Sequence, residues 1–140
     1  SKLPRGIVHG DLFHDNALFV DHELTGVIDF YYAHQAPFIY DLAVCIADWC
    51  FVQNRSQLAL EKARSIVRAY RRKRAITPFE AASWTNAVEL AALRFYLSRL
   101  HDKHFPRDGA ITPEKDPLVF LALIKLCRER PADLASILEI

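Results

Sequence analysis

Methionine is missing altogether from this chain, so Ser1 is not expected to be a natural start and the chain is expected to be part of a longer protein. Glycine is scarce, at Gly6, Gly10, Gly26 and Gly109, and four such scattered residues cannot form a glycine-rich loop that wraps phosphates with backbone amides. Cys45, Cys50 and Cys127 are odd in number, at spacings that fit neither a disulfide framework nor a zinc knuckle; buried reduced thiols are expected. No apolar run approaches the roughly 20 residues that cross a bilayer, and "SKLPRGIVHG" lacks the apolar core of a signal peptide. The expectation is a cytoplasmic protein with no membrane partner. An excess of one charge is lacking too: eighteen Lys and Arg offset seventeen Asp and Glu. No long-range field draws the chain to nucleic acid.

What remains is the composition of a folded domain with one core, 51% apolar and 25% charged over 140 residues. Residues 7–9, 17–20 and 25–30 read as short strands, with "DHEL" at 21–24 turning the last two into a hairpin. Beyond Pro37 the pattern becomes helical. Residues 38–51 are apolar on most faces, as in a buried helix, and a second helix is expected over 56–74. Its basic end "RAYRRKR" suits a solvated helix C-terminus better than a phosphate-rich partner. Thr77-Pro78-Phe79-Glu80 has the form of a capping box with proline at the first helical position, which predicts a helix running to about residue 102. A loop is expected over 108–117, then helices over 117–129 and 132–139. Trp49 and Trp84 are expected in the core, and His101 and His104 at an exposed helix end.

The chemistry gathers in "GIVHGDLFHDNALFVDHELTGVIDF", residues 6–30. Asp11 is followed by Asn16 in D-L-F-H-D-N, a spacing that resembles the catalytic loop of protein kinases, where the aspartate accepts a substrate hydroxyl proton and the asparagine holds Mg²⁺. Asp29 follows across the hairpin, where a kinase places its main chelating carboxylate. Phosphoryl transfer needs a divalent cation held by a few hard oxygens, the rest coming from phosphate and water. An alcohol is too weak an acid to be ionised in advance by an aspartate, so the carboxylate mainly orients the hydroxyl and takes its proton late. His9, Asp11, His14 and Asp15 also read as H-x-D-x-x-H-D, a transition-metal pattern with fewer residues explained.

"HGDLFHDN", "GVIDF" and "YDLA" together resemble the aminoglycoside phosphotransferase and choline kinase superfamily, which carries HGD and IDF motifs in place of HRD and DFG. Within it, "GVIDFYYA", "YDLAVCIADWC", "ALRFYLSRL" and "RLHDKHFPRDGAITPEKDP" are similar to the homoserine kinase group; antibiotic kinases usually carry a second histidine where this chain has Phe13. The resemblance implies a mainly α fold with a small β-hairpin, the C-terminal lobe of a protein-kinase-like, aminoglycoside phosphotransferase-like fold. Residues 1–36 would form the catalytic loop and metal-binding hairpin and 37–140 the helical subdomain, with the N-terminal nucleotide-binding lobe absent from the chain. It further implies ATP and Mg²⁺, with L-homoserine as acceptor in threonine biosynthesis.

By matching positions, Asp11 is the catalytic base, Asn16 and Asp29 are the Mg²⁺ ligands, and His9 and Asp41 support the loop; Asp41, in the first turn of its helix, suits a dipole role as well. Asp15, Asp48 and Arg94 stand as substrate-binding residues. Asp15 could equally fix the turn before Asn16. Arg94, among apolar neighbours, needs an anion, either a substrate carboxylate or an internal partner; Arg99, five positions on, lies about 140° around the helix from it. Ala47 replaces an asparagine common in related sequences. Two other readings stay open: another aminoglycoside- or choline-type phosphotransferase, and a non-catalytic helical kinase-like module.

Overall fold

The computed structural model describes residues 2–52, 57–105 and 116–139. Strand β1 (Arg5–Val8) leads into the catalytic-type loop, β2 (Ala17–Val20) and β3 (Glu23–Val27) form the hairpin, and β4 (His34–Pro37) runs into helix α1 (Phe38–Trp49). A short pair, β5 (Phe51–Val52) with β6 (Gln57–Leu58), precedes α2 (Leu60–Arg71); α3 (Pro78–Ala82), α4 (Trp84–His104), α5 (Leu118–Glu129) and α6 (Pro131–Ser136) complete the order. Among the described residues no helix is long and apolar enough to cross a membrane.

Among the described residues, three two-stranded antiparallel pairs replace the single hairpin expected. The pairing of β1 with β4, Arg5 opposite Pro37 and Val8 opposite His34, is invisible in "HQAP", which has no alternation. Pro37 is tolerated because it ends its strand. Gly6 is needed on β1 because an added Cβ would fall 2.3 Å from the Phe38 ring. The hairpin turns on two residues, not four: Asp21 and His22 have φ of 48° and 68°, the left-handed pair of a tight turn whose twist matches its strands. Glu23 and Leu24 thereby join β3. The strand expected to reach residue 30 stops at Val27, and Phe30–Tyr32 forms a single 3-10 turn.

The core is helical. Along the first half of α4, Trp84, Ala87, Val88, Ala91, Ala92 and Phe95 are buried, a stripe at helical spacing that packs on α1 and α5. Helix α1 buries residues on most faces, as its sequence requires. Phe13 leaves the loop to enter this core: its ring centroid lies 4.4 Å from Phe95, which lies 5.4 Å from Phe120. The helix expected over 77–102 breaks at Ser83, whose hydroxyl donates to the Phe79 carbonyl at 2.8 Å and so competes with the helical ladder. Helix α2 begins at Leu60, after β6, and α6 starts at Pro131 and ends at Ser136. The loop expected over 108–117 lies outside the described residues except for Asp116 and Pro117.

Thr77 and Glu80 form the capping box reciprocally: Thr77 N donates to Glu80 Oε2 at 2.9 Å and Glu80 N donates to Thr77 Oγ1 at 3.3 Å. Glu80 is wholly buried. Its Oε1 lies 2.9 Å from Arg74 Nη1, at an angle too poor for a directed hydrogen bond. The end of the basic run is thus structural, with Arg71 Nη2 also donating to the Leu138 carbonyl at 2.9 Å. Burial pushes the Glu80 carboxyl up, but Arg74 and the Thr77 amide and hydroxyl outweigh it and the net direction is down. A folded-state value below the unfolded one gives stability that is present above the ordinary glutamate range and lost as pH falls through the lowered value. Glu80→Ala should therefore destabilise the fold by about 3 kcal/mol at neutral pH, toward the low end for breaking a buried pair. In urea titrations the gap between variant and parent should narrow toward pH 3; a gap independent of pH would refute this role.

Cys50 and Cys127 are buried, Cys45 is half-buried, and all three are unpaired. Burial pushes the Cys45 and Cys127 thiols up to about 12 and Cys50 to about 11, so none is a thiolate at neutral pH. Trp84 is buried, its indole donating to the Leu134 carbonyl at 2.9 Å. Trp49 is only half-buried, and His101 and His104 are exposed.

Candidate active site

β1 delivers His9 and Gly10 to a loop that α1 clamps from its first turn. Asp41 Oδ2 accepts from His9 N at 3.0 Å and Oδ1 from Gly10 N at 2.8 Å, so one carboxylate satisfies two successive backbone donors. Gly10 has φ of +77°, and a Cβ there would lie 2.8 Å from the Tyr32 carbonyl; only glycine accommodates both constraints. The buried His9 ring ties in the hairpin exit: Nε2 lies 2.9 Å from the Ile28 carbonyl, while Nδ1 accepts from Asp11 N at 3.2 Å. These two partners require the Nε2–H tautomer. With both ring nitrogens committed, His9 has none to give a transition metal, and no group of three His, Cys, Asp or Glu side chains among the described residues could hold one.

Asn16 Nδ2 donates to the Asp11 carbonyl at 2.8 Å and lies 3.4 Å from Asp11 Oδ2, an arrangement that fixes the amide and turns Oδ1 away from Asp11. The Asn16 carbonyl accepts from Ile28 N at 3.0 Å, which brings the next residue, Asp29, to the same place. Asp29 is exposed and left-handed at φ 63°, ψ 62°, a conformation that costs a non-glycine residue about 1–2 kcal/mol. Its carboxylate makes no hydrogen bond or ion pair among the described residues. Burial pushes the Asp11 carboxyl up; Arg94 opposes this, Asp29 adds to it, His9 and Asn16 oppose it, and the net direction is up. Asp11 feels the charge of Asp29 and meets the Asn16 amide, and the oxygens of Asn16 and Asp29 are donors of the hard kind that suits Mg²⁺.

Arg94 reaches the loop from the middle of α4. Nη1 donates to the Gly10 carbonyl and approaches the Tyr40 hydroxyl at 3.5 Å, and the guanidinium lies over the rings of Tyr32, at 5.0 Å, and Phe95, at 4.6 Å. Asp15 and Asp48 meet elsewhere, on His14. Asp48 Oδ2 accepts from His14 N at 2.8 Å and lies 2.6 Å from His14 Nδ1; Asp15 Oδ1 lies 3.0 Å from Nε2. Their charges are felt by Arg99. Trp49 and Tyr40 escape the sequence reading as loop contacts, yet Trp49 Nε1 donates to the Leu12 carbonyl at 3.1 Å. A signal was there: Asp41 and Asp48, seven residues apart, fall on one face of a helix, with Tyr40 and Trp49 their immediate neighbours.

A loop braced by a helix carboxylate, with an amide and a second carboxylate returned by a hairpin, is an arrangement of the kind that phosphotransferases use. The model of the phosphotransferase enzyme family, APH, matches residues 1–76, and the chain belongs to that family. Among curated proteins it is similar to the homoserine kinase of Methylobacillus flagellatus, 43% identical over 124 residues that make up 89% of this chain and 39% of that protein. The homoserine kinase of Methylobacillus glycogenes is 39% identical over 125 residues, again 89% of this chain and 39% of the relative, and that of Nitrobacter hamburgensis is 42% identical over 124 residues, 89% and 38%. The chain spans about two fifths of the length of these relatives.

Proposed function

We propose that the chain is the C-terminal lobe of an ATP-dependent kinase that phosphorylates the side-chain hydroxyl of L-homoserine, a cytoplasmic step toward threonine. The observation that carries the reading is the Asp11 carboxylate, beside the Asn16 amide and within the field of Arg94, on a loop clamped by Asp41. The relatives' names supply the acceptor. Residues 1–36 act as catalytic loop and metal-binding hairpin, and residues 37–140 as the helical subdomain beneath them. A nucleotide-covering lobe from the remainder of the protein completes the site.

Asp11 accepts a hydrogen bond from the acceptor hydroxyl and aims its oxygen at the γ-phosphorus of ATP. The new O–P bond forms as the bond from the γ-phosphorus to the β,γ-bridging oxygen breaks; the hydroxyl proton passes to Asp11 and ADP leaves with the bridging oxygen. Asn16 Oδ1 and the Asp29 carboxylate would hold Mg²⁺, which when bound offsets the phosphate charge. Asp41 and His9 touch no reacting atom and keep Asp11 in position. In this reading His14 takes up the Asp15 and Asp48 carboxylates, and both serve the loop before they serve a substrate.

The deciding experiment measures ADP release by the full-length protein with ATP, Mg²⁺ and one acceptor at a time. Turnover on L-homoserine of about 1–100 s⁻¹, typical of kinases, with little on choline or an aminoglycoside is expected. Preference for either of those would overturn the acceptor assignment. The 140-residue chain alone should give no turnover, because nothing then positions the β- and γ-phosphates over Asp11; homoserine-dependent ADP release by it would refute the two-lobe reading.

A further inference from the structure

Arg94 makes no ion pair among the described residues, and the Asp11 carboxylate acts on it only through space. Its partners are a backbone carbonyl, a phenol and two aromatic faces, all neutral, and among the described residues no carboxylate lies within ion-pair distance of it. A half-buried guanidinium normally finds an anion, because desolvating the charge without one is costly. The Gly10 carbonyl and the Tyr40 hydroxyl engage only Nη1, while stacking on Tyr32 and Phe95 fixes the plane of the fork. The remaining N–H groups are a rigid donor set of the geometry that carboxylates bind.

Its place limits what that anion can be. Arg94 grips the carbonyl of Gly10, the residue next to Asp11, and adjacent Cα atoms are about 3.8 Å apart. A ligand held by Arg94 with a hydroxyl at Asp11 must therefore be short. Homoserine qualifies: four bonds of about 1.5 Å, an extended reach of about 5 Å, separate its hydroxyl oxygen from its carboxylate carbon. Choline and aminoglycosides carry positive charge and no carboxylate, so the same guanidinium would repel them.

Resting on the homoserine kinase reading, we infer that Arg94 is the specificity-determining residue that binds the α-carboxylate of the acceptor and sets its hydroxyl at Asp11. The residue would have a second, positioning effect through Gly10, so the test must separate the two. L-homoserine amide, which keeps the hydroxyl and amine but has no α-charge, is compared with L-homoserine on the full-length protein and on Arg94→Met.

The parent enzyme should favour homoserine over the amide in kcat/KM by about 10- to 100-fold, the worth of a charged hydrogen bond. In Arg94→Met the loss on homoserine should exceed the loss on the amide by the same factor. Equal losses on both would mean that Arg94 only props the loop, which overturns the inference. Should the variant fail to fold, the parent decides alone: equal use of homoserine and its amide overturns the inference, and strong preference for homoserine, reduced in the milder Arg94→Lys, upholds it. Absence of any turnover on homoserine by the parent would instead strike the acceptor assignment, and this inference with it.

Discussion

Replacing Asp11 by asparagine in the full-length protein should lower kcat on L-homoserine by about 10²- to 10⁴-fold, the usual contribution of a positioned general base, and leave the KM for ATP nearly unchanged. The asparagine is isosteric, and the Asn16 amide bonds the Asp11 backbone carbonyl, so the loop keeps its shape. What disappears is the acceptor for the hydroxyl proton, at a step where that proton moves late. Steady-state kinetics checks this directly. A fall of less than about tenfold, well below a general base's usual share, would remove Asp11 from that role.

The second large effect is expected at a residue that meets no substrate. In Asp41→Asn one oxygen still accepts a backbone N–H, but the new NH₂ group faces the other donor. The loss of one charge-assisted bond and the donor left facing a donor should cost about 3 kcal/mol of stability, read from denaturant titration. Displacement of His9 and Gly10 carries Asp11 with it, and a shift near 1 Å can cost about 10²-fold in rate. Both quantities should fall together. Wild-type stability with a large kcat defect would mean that Asp41 acts on substrate; loss of stability with full kcat would mean that the loop does not need its clamp.

The parts of the fold set by local rules could be read from the sequence. The Thr77 box, the presence of a hairpin over residues 17–27 and the buried α1 all follow from side chains close together in the chain, acting on their own backbone; the two-residue turn at Asp21 and His22 does not. Pairing of β1 with β4 could not be read, because its strands are brought together across the 25 residues between Val8 and His34 by the close approach of Gly6 to Phe38 and the run into α1. Ser83 hides its break within a helical pattern because the deciding bond, hydroxyl to Phe79 carbonyl, competes with the helix using a residue type that helices also tolerate. For the site, motif spacing brings forward Asp11, Asn16 and Asp29, which lie close in sequence and share a hairpin. Tyr40, Trp49 and the His14 bridge to Asp48 depend on how α1 lies against the loop, and no spacing within the first 30 residues encodes that.

Phe13 gives the loop a thermodynamic address. A loop held only by its ends opens on its own, at a small free energy and often. This one has an aromatic ring lodged between α4 and α5, so the residues around Asp11 cannot part from the core without breaking the Phe13–Phe95–Phe120 stack. Loop and helices then open as one cooperative unit. In the proposed kinase, catalytic precision is then tied to the helical core's stability, and a substitution in α5, far along the chain from Asp11, is expected to act like one at the proposed site.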